Sequence, residues 1–181
     1  MNRLLRKIVH ITIGLVVFLA VNIYGKWIAE SALCFCLLVG IFLQDQKIKG
    51  KSLTIVDYLL KKLDKSESMP GLSAMQYFVG LLVIISFLEL VKINAGLIIL
   101  VFGDGIASLI NGRIRWPHNK DKTIEGSFVF FVISSLACYL YIGAGGLIAA
   151  FLITMVESIS FKGISDNITI PVATVILFKL I

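Results

Sequence analysis

Charge is scarce in this chain. Acidic and basic residues make up 15% of its 181 positions, against 58% hydrophobic residues and a mean hydropathy of +0.96. A soluble domain carries charge on about a quarter of its positions, so a water-soluble globule is excluded and an integral membrane protein is expected. The length leaves room for one domain, 1–181. Cysteine is scarce as well. Cys34, Cys36 and Cys138 lie in apolar runs, and Cys34 and Cys36 face apart on one helix, so neither a ready disulfide nor a zinc spacing is present. They are expected to act as small packing residues. The net charge of +6 could suggest nucleic acid, but aromatics are not interleaved with the basic residues as a base-stacking surface requires. Residues 1–21 lack a small-x-small cleavage site before a polar mature chain, so they are read as a retained first helix. Gly50-Lys51-Ser52 imitates the end of a P-loop, yet Asp45 stands where the first glycine belongs and no strand precedes it.

What the chain has in abundance is apolar segments near bilayer length, at 8–24, 27–43, 74–91, 93–110, 127–142, 145–160 and 168–181. They predict an all-α, polytopic membrane protein of about seven transmembrane helices, the last two short enough to tilt, re-enter or rest against protein. Only Lys26, Lys92 and Lys179 fall on one side of that arrangement, and the other fourteen of the 17 basic residues fall on the opposite side. The positive-inside rule then makes the N-terminus cytoplasmic. The loop 44–73 is the one sizeable piece outside the membrane. In it Leu53, Val56, Leu60 and Leu63 recur at helical spacing behind Ser52 as N-cap, which predicts an amphipathic helix in the cytoplasmic interface.

Polar groups within apolar segments are expensive, and they mark functional sites. Four sets lie on the cytoplasmic side. Arg6, Lys7 and His10 form one stripe of the first helix. Asp104 lies between two glycines, about 10 Å deep by helical rise, and shares a helix face with Ser108 and Asn111. Arg113 and Arg115 then lead to Lys122-Thr123-Ile124-Glu125-Gly126-Ser127, where a lysine, two hydroxyls and a glycine crowd the start of a helix whose N–H groups suit phosphate oxygens. An ordinary N-cap at Thr123 or Ser127 is an equally good account of those hydroxyls. Last come Glu157, Asp166 and Asn167, with Pro171 suggesting irregular backbone that lines a polar cavity. Asp104, Glu157, Asp166, Asn111 and Asn167 are oxygen ligands that suit Mg²⁺ or another divalent cation, which one or two carboxylates and substrate phosphates would hold. Basic residues and a metal around a transferring group are what phosphoryl transfer requires. A site just below the cytoplasmic surface suits a soluble nucleotide meeting a lipid alcohol that stays in the bilayer.

Five stretches, RKIVH at 6–10, PGLSAMQY at 70–77, FGDGIASLING at 102–112, DKTIEGS at 121–127 and Glu157 followed by DNITIP at 166–171, resemble in order the CTP-dependent polyprenol kinases. That family includes dolichol kinase, phytol kinase and the CTP-dependent diacylglycerol kinase, and it is related to phosphatidate cytidylyltransferases. The resemblance implies CTP as phosphate donor, a divalent cation as cofactor and a long-chain lipid alcohol as acceptor. By position the resemblance carries over Arg6, Lys7, His10, Asp104, Lys122, Glu125, Gly126, Asp166 and Asn167. Together with the reading of the residues above, catalytic roles are expected for Asp104, Lys122 and His10, and nucleotide contacts from Arg6, Lys7, Arg113, Lys122, Thr123, Glu125, Gly126 and Ser127. Some members carry two acids before the asparagine, where this chain has Ser165-Asp166-Asn167. A cytidylyltransferase making a CDP-activated lipid would need the same groups. A small cation transporter would need polar residues through the whole membrane depth, and the outer halves of the last four segments carry almost none. Compartment follows organism: the cell membrane in a prokaryote, the endoplasmic reticulum or a plastid in a eukaryote.

Overall fold

A computed structural model describes residues 3–51, 57–58, 71–159 and 164–181. The described chain folds into α1 (Arg3–Tyr24), α2 (Lys26–Ile48), α3 (Leu72–Phe87), α4 (Leu90–Ala107), α5 (Ile124–Ile142), α6 (Gly146–Ser158) and α7 (Asp166–Leu180). Among the described residues the one extended pairing is an isolated bridge between Arg115 and Thr123. α1, α2, α4 and α5 are long and apolar enough to cross a membrane, and α3 and α6 are shorter apolar helices. The expected interfacial helix, with Ser52, Leu53, Val56, Leu60 and Leu63, lies outside the described residues. Within the same stretch Asp57 is described, is helical, and pairs its carboxylate with Lys47.

The helices are arranged around α4. Two thirds of its apolar window (67%) is buried inside the protein, compared with 17% for α1 and 11% for α2. Ile93, Leu97, Ile99 and Leu100 on α4 pack with Leu81, Ile84 and Ile85 of α3, Phe130 of α5 and Phe178 of α7 in one core. α1 and α2 instead turn Val16, Ile23, Phe35 and Phe42 outward. A continuous apolar surface of that kind belongs against another apolar phase.

Three boundaries differ from the sequence expectation. The break between the third and fourth helices falls at Leu88 and Glu89, which are extended, so Lys92 sits inside α4. Its ammonium donates to the Phe178 carbonyl of α7 at 2.5 Å. α4 ends at Ala107, three residues earlier than the apolar run, and its stretch Ile99–Asp104 is π-helical. α7 runs unbroken through Pro171, where irregular backbone was expected. Proline has no N–H for the Asn167 carbonyl one turn back, and that oxygen lies against the bare Cα of Gly80 on α3, where any Cβ would collide with it.

The chain reverses at each connection, so polar groups gather at two opposite ends. At the end holding the α1–α2 turn, Asn22 and Asn94 exchange side-chain hydrogen bonds of 2.9 and 3.0 Å. There the Lys26 ammonium donates to the carbonyls of Ser86 and Leu88 at the end of α3, and Ser86 donates to Glu30. The other end holds every site residue proposed from the sequence.

Candidate active site

The centre of that second end is Asp104, at the last position of the π-helical stretch and 4% exposed. A wide turn rotates the residues after it relative to an α-helix and often marks a functional position. Here it delivers a carboxylate to α1. Lys7 Nζ meets Asp104 Oδ2 at 2.9 Å, and His10 Nε2 lies 3.8 Å from the same oxygen. Gly105 lets α1 come this close, because a Cβ there would press on Ile11.

His10 is fixed on three sides. Its Nε2 is 3.3 Å from the Leu100 carbonyl, its ring stacks on Tyr77 with centroids 3.8 Å apart, and the Tyr77 hydroxyl donates to the His10 carbonyl at 2.9 Å. A carbonyl only accepts, so Nε2 carries the proton. His10 therefore turns an N–H toward Leu100 and Asp104, and orients that corner of the site. Arg6, half-buried, precedes Lys7 on the same helix.

Lys122 is the hub of the second cluster. Its ammonium pairs with Glu157 of α6 and, at 2.8 Å, with Asp166 at the first position of α7. Burial works against the charge on Lys122, but Asp166, Glu157 and then Asp104 outweigh it and hold the ammonium above the ordinary lysine range. Asp104 thus lies close enough to act on Lys122, and the two clusters form one charged region. Glu157, 3% exposed, also accepts from Ser127 Oγ at 2.9 Å, and Ser127 accepts from the Trp116 indole N–H at 3.0 Å.

The remaining candidates build the walls. Thr123 is the N-cap of α5, accepting from the Gly126 N–H at 3.2 Å, while Ser127 lies inside the helix and caps nothing. Glu125 accepts from the backbone N–H groups of Arg113 (2.8 Å) and Ile114 (3.2 Å), which fastens the preceding loop to α5. The N–H of Ile124 is taken by the Ile114 carbonyl and that of Ser127 by the Thr123 carbonyl. Of the first-turn donors assigned to phosphate in the sequence, those of Ile124, Gly126 and Ser127 are therefore engaged within the protein. Because α4 stops at Ala107, Asn111 shares no helix face with Asp104: it stands exposed beyond the helix, and Ser108 Oγ bonds back to the Gly105 carbonyl. For the same reason Asp104 lies three residues from its helix end, closer to it than the depth expected from the sequence. Asn167 uses its amide to hold the Ser73 carbonyl at 3.3 Å, joining α7 to α3.

Tyr77, Trp116, His118 and Asn119 are site residues that sequence reasoning left unassigned. His118 Nε2 and Asn119 Nδ2 both reach the Ser158 carbonyl, at 3.2 and 3.1 Å, next to Glu157. Tyr77 closes the stretch PGLSAMQY, which was the available signal for it. Among the described residues no group of three or more His, Cys, Asp or Glu side chains is gathered as a metal site. What is present is a pair of carboxylates, Glu157 and Asp166, held on one ammonium.

Known proteins bear on this arrangement. The chain is 28% identical over 175 residues to an uncharacterized protein of Methanocaldococcus jannaschii, with 94% of this chain and 90% of that protein covered. It is also 28% identical to the chloroplastic farnesol kinase of Arabidopsis thaliana, with 96% of this chain covered. It spans 64% of that kinase, a little under two thirds of its length. No family model matches the chain, and no solved structure does.

Proposed function

We propose that this chain is a membrane-embedded lipid-alcohol kinase, with CTP as phosphate donor. The supporting observation is that two lysine–carboxylate clusters, the buried pair Lys7–Asp104 and the partly buried Lys122–Glu157–Asp166, meet at one end of the bundle. The similarity to a farnesol kinase across 96% of the chain points to the same chemistry. That end faces the cytoplasm, because fourteen of 17 basic residues fall on its side, and all seven helices contribute to one transmembrane unit. An impermeant thiol reagent reaching a cysteine placed at position 51 or 120 from outside intact cells would overturn this orientation.

In this function the lysines change partners. At rest each ammonium neutralises carboxylates in a low-dielectric setting. When the donor's phosphates arrive, Lys7 and Lys122 turn to them, since a chain of phosphates offers more charged acceptor oxygens than the one carboxylate on Lys7 or the two on Lys122. Asp104, released from Lys7, is then free to take the proton of the lipid hydroxyl as that oxygen attacks phosphorus. His10 keeps Asp104 oriented throughout, and Arg6 and Arg113 add positive charge toward the nucleotide. Glu157 and Asp166 fit Mg²⁺, which takes one or two carboxylates together with substrate phosphates, and they are the residues that would hold it once Lys122 turns away. Bound there, the cation would neutralise charge on the transferring group.

The test is purified protein in detergent with labelled CTP or ATP and a panel of farnesol, longer polyprenols, diacylglycerol and phosphatidic acid. Phosphorylated alcohol and CDP are expected, with loss of turnover on chelation of divalent cations. Pyrophosphate released with phosphatidic acid would make the protein a cytidylyltransferase instead. No product from any acceptor would overturn both.

A further inference from the structure

The segment between α4 and α5 folds back on itself as a short hairpin. The Trp116 N–H donates to the Lys122 carbonyl at 3.2 Å, the Ile124 N–H to the Ile114 carbonyl at 2.9 Å, and Arg115 and Thr123 form a bridge. Trp116 therefore holds the backbone of Lys122 directly. Its side chain does something else. The indole N–H donates to Ser127 Oγ at 3.0 Å, which leaves the Ser127 hydroxyl proton for Glu157 Oε2 at 2.9 Å, and Glu157 pairs through its other oxygen with the Lys122 ammonium. An indole N–H can only donate and a carboxylate can only accept, so the direction of this relay is fixed at both ends. The hydroxyl between them has one orientation.

We infer that Trp116 is a positioning residue that grips both members of the central ion pair, Lys122 through the backbone and Glu157 through Ser127. Nothing in the similarity to known proteins assigns it a role. Its place in the fold is suited to the task. The indole is half-buried at the edge of the charged cluster and tilted against His118, with ring centroids 5.2 Å apart. His118 and Asn119 pin the hairpin tip to the Ser158 carbonyl, one residue beyond Glu157 on α6. The loop that carries Lys122 is thus latched to the helix that carries Glu157 at two adjacent residues. Ser127 and Glu157 are each 3% exposed, and in such a setting a carboxylate oxygen that loses its donor is costly. Glu157 would then draw more heavily on Lys122 and hold the ammonium back from phosphate. The inference rests on the proposed function for its kinetic consequence, and on geometry alone for the relay itself.

The experiment is a double-mutant cycle on the full chain in detergent, using Trp116→Phe, Ser127→Ala and the pair. Phenylalanine keeps a ring beside His118 and removes the N–H. If Trp116 acts through Ser127, each single substitution raises the CTP KM about fivefold, the effect of one hydrogen bond. The double variant is then no worse than Ser127→Ala, and the lipid KM is unmoved. Effects that multiply, or a Trp116→Phe enzyme with an unchanged CTP KM, overturn the inference. Thermal unfolding of the same four proteins reads the relay without substrates: shifts in Tm that fail to add support it, and additive shifts overturn it. Should the wild type turn over no substrate while the Tm shifts remain coupled, the proposed function falls and the relay stands.

Discussion

The two ends of the bundle are both polar, but they are polar in different ways. Around Asn22 and Asn94 each amide satisfies the other, and Lys26 and Lys92 are spent on the terminal carbonyls of α3 and α7. These partners are neutral, and most are backbone that cannot leave. Around Asp104 and Lys122 the ion-pair partners Lys7, Glu157 and Asp166 are side chains of opposite charge, and Lys122 is shared between two acids. Backbone capping fastens helices. Paired side chains at the edge of a bundle can be exchanged for the charges of a ligand. Burial of polar groups alone does not make a site, and the kind of partner distinguishes scaffold from chemistry.

The sharpest break of this contrast is Asp104→Asn. Turnover should fall by about three orders of magnitude, as expected for losing a positioned proton acceptor. Taken as an isolated acid, Asp104 could be neutralised at little structural cost. Its pairing with Lys7 reverses that expectation, because the ammonium is left buried without a counter-charge, a loss of about 3 kcal/mol or more. Replacing both members, Lys7→Leu with Asp104→Leu, should restore the melting temperature and leave the enzyme inactive. Steady-state assays and thermal unfolding in detergent measure both. A double variant that keeps turnover would place Asp104 with Asn94 among the scaffold.

Next in size is Lys122→Ala, for which kcat/KM for CTP should drop about a hundredfold while the lipid KM stays near its wild-type value. Lys122→Arg should recover little, since a planar guanidinium does not replace a compact ammonium between two acids. An effect confined to the lipid KM would move Lys122 out of the nucleotide site. At the other end Asn22→Ala should cost about 1 kcal/mol of stability, the scale of a hydrogen bond between membrane helices, with turnover within about twofold. A large activity loss there would erase the distinction between the ends.

The smallest effect concerns pH. Lys122 has its pKa raised, so the stability it contributes is complete below the ordinary lysine value of 10.5 and is lost only as pH climbs through the raised one. The Tm difference between wild type and Lys122→Met should therefore hold constant from about pH 7 to about pH 10. A difference that shrinks within that window would mean that the two carboxylates do not hold the charge.

Much of this was legible in the sequence for simple physical reasons. Apolar runs near bilayer length announce helices, so all seven segments could be placed within a few residues. Charge in apolar surroundings is costly enough to single out Lys7, His10, Asp104, Glu157 and Asp166, all of which the fold brings to one end. Pairing was not legible, because which lysine meets which acid depends on how helices pack. Nor was the end of α4, where Leu109 and Ile110 continue the apolar pattern while the backbone has already turned away. Trp116 was invisible for a related reason: its role lies in one N–H aimed at a residue eleven positions on.

The π-helical stretch Ile99–Asp104 has one further consequence. A wide turn sets the two halves of α4 out of phase with each other. The first half is keyed to the core, with Gly96 against Ile84 and Thr174, and the second to α1, with Gly105 against Ile11. In an unbroken α-helix successive residues turn by about 100° each, and both sets of contacts would have to share that one spacing. The wide turn offsets the second half against the first, so that one continuous helix meets the core with Gly96 and α1 with Gly105.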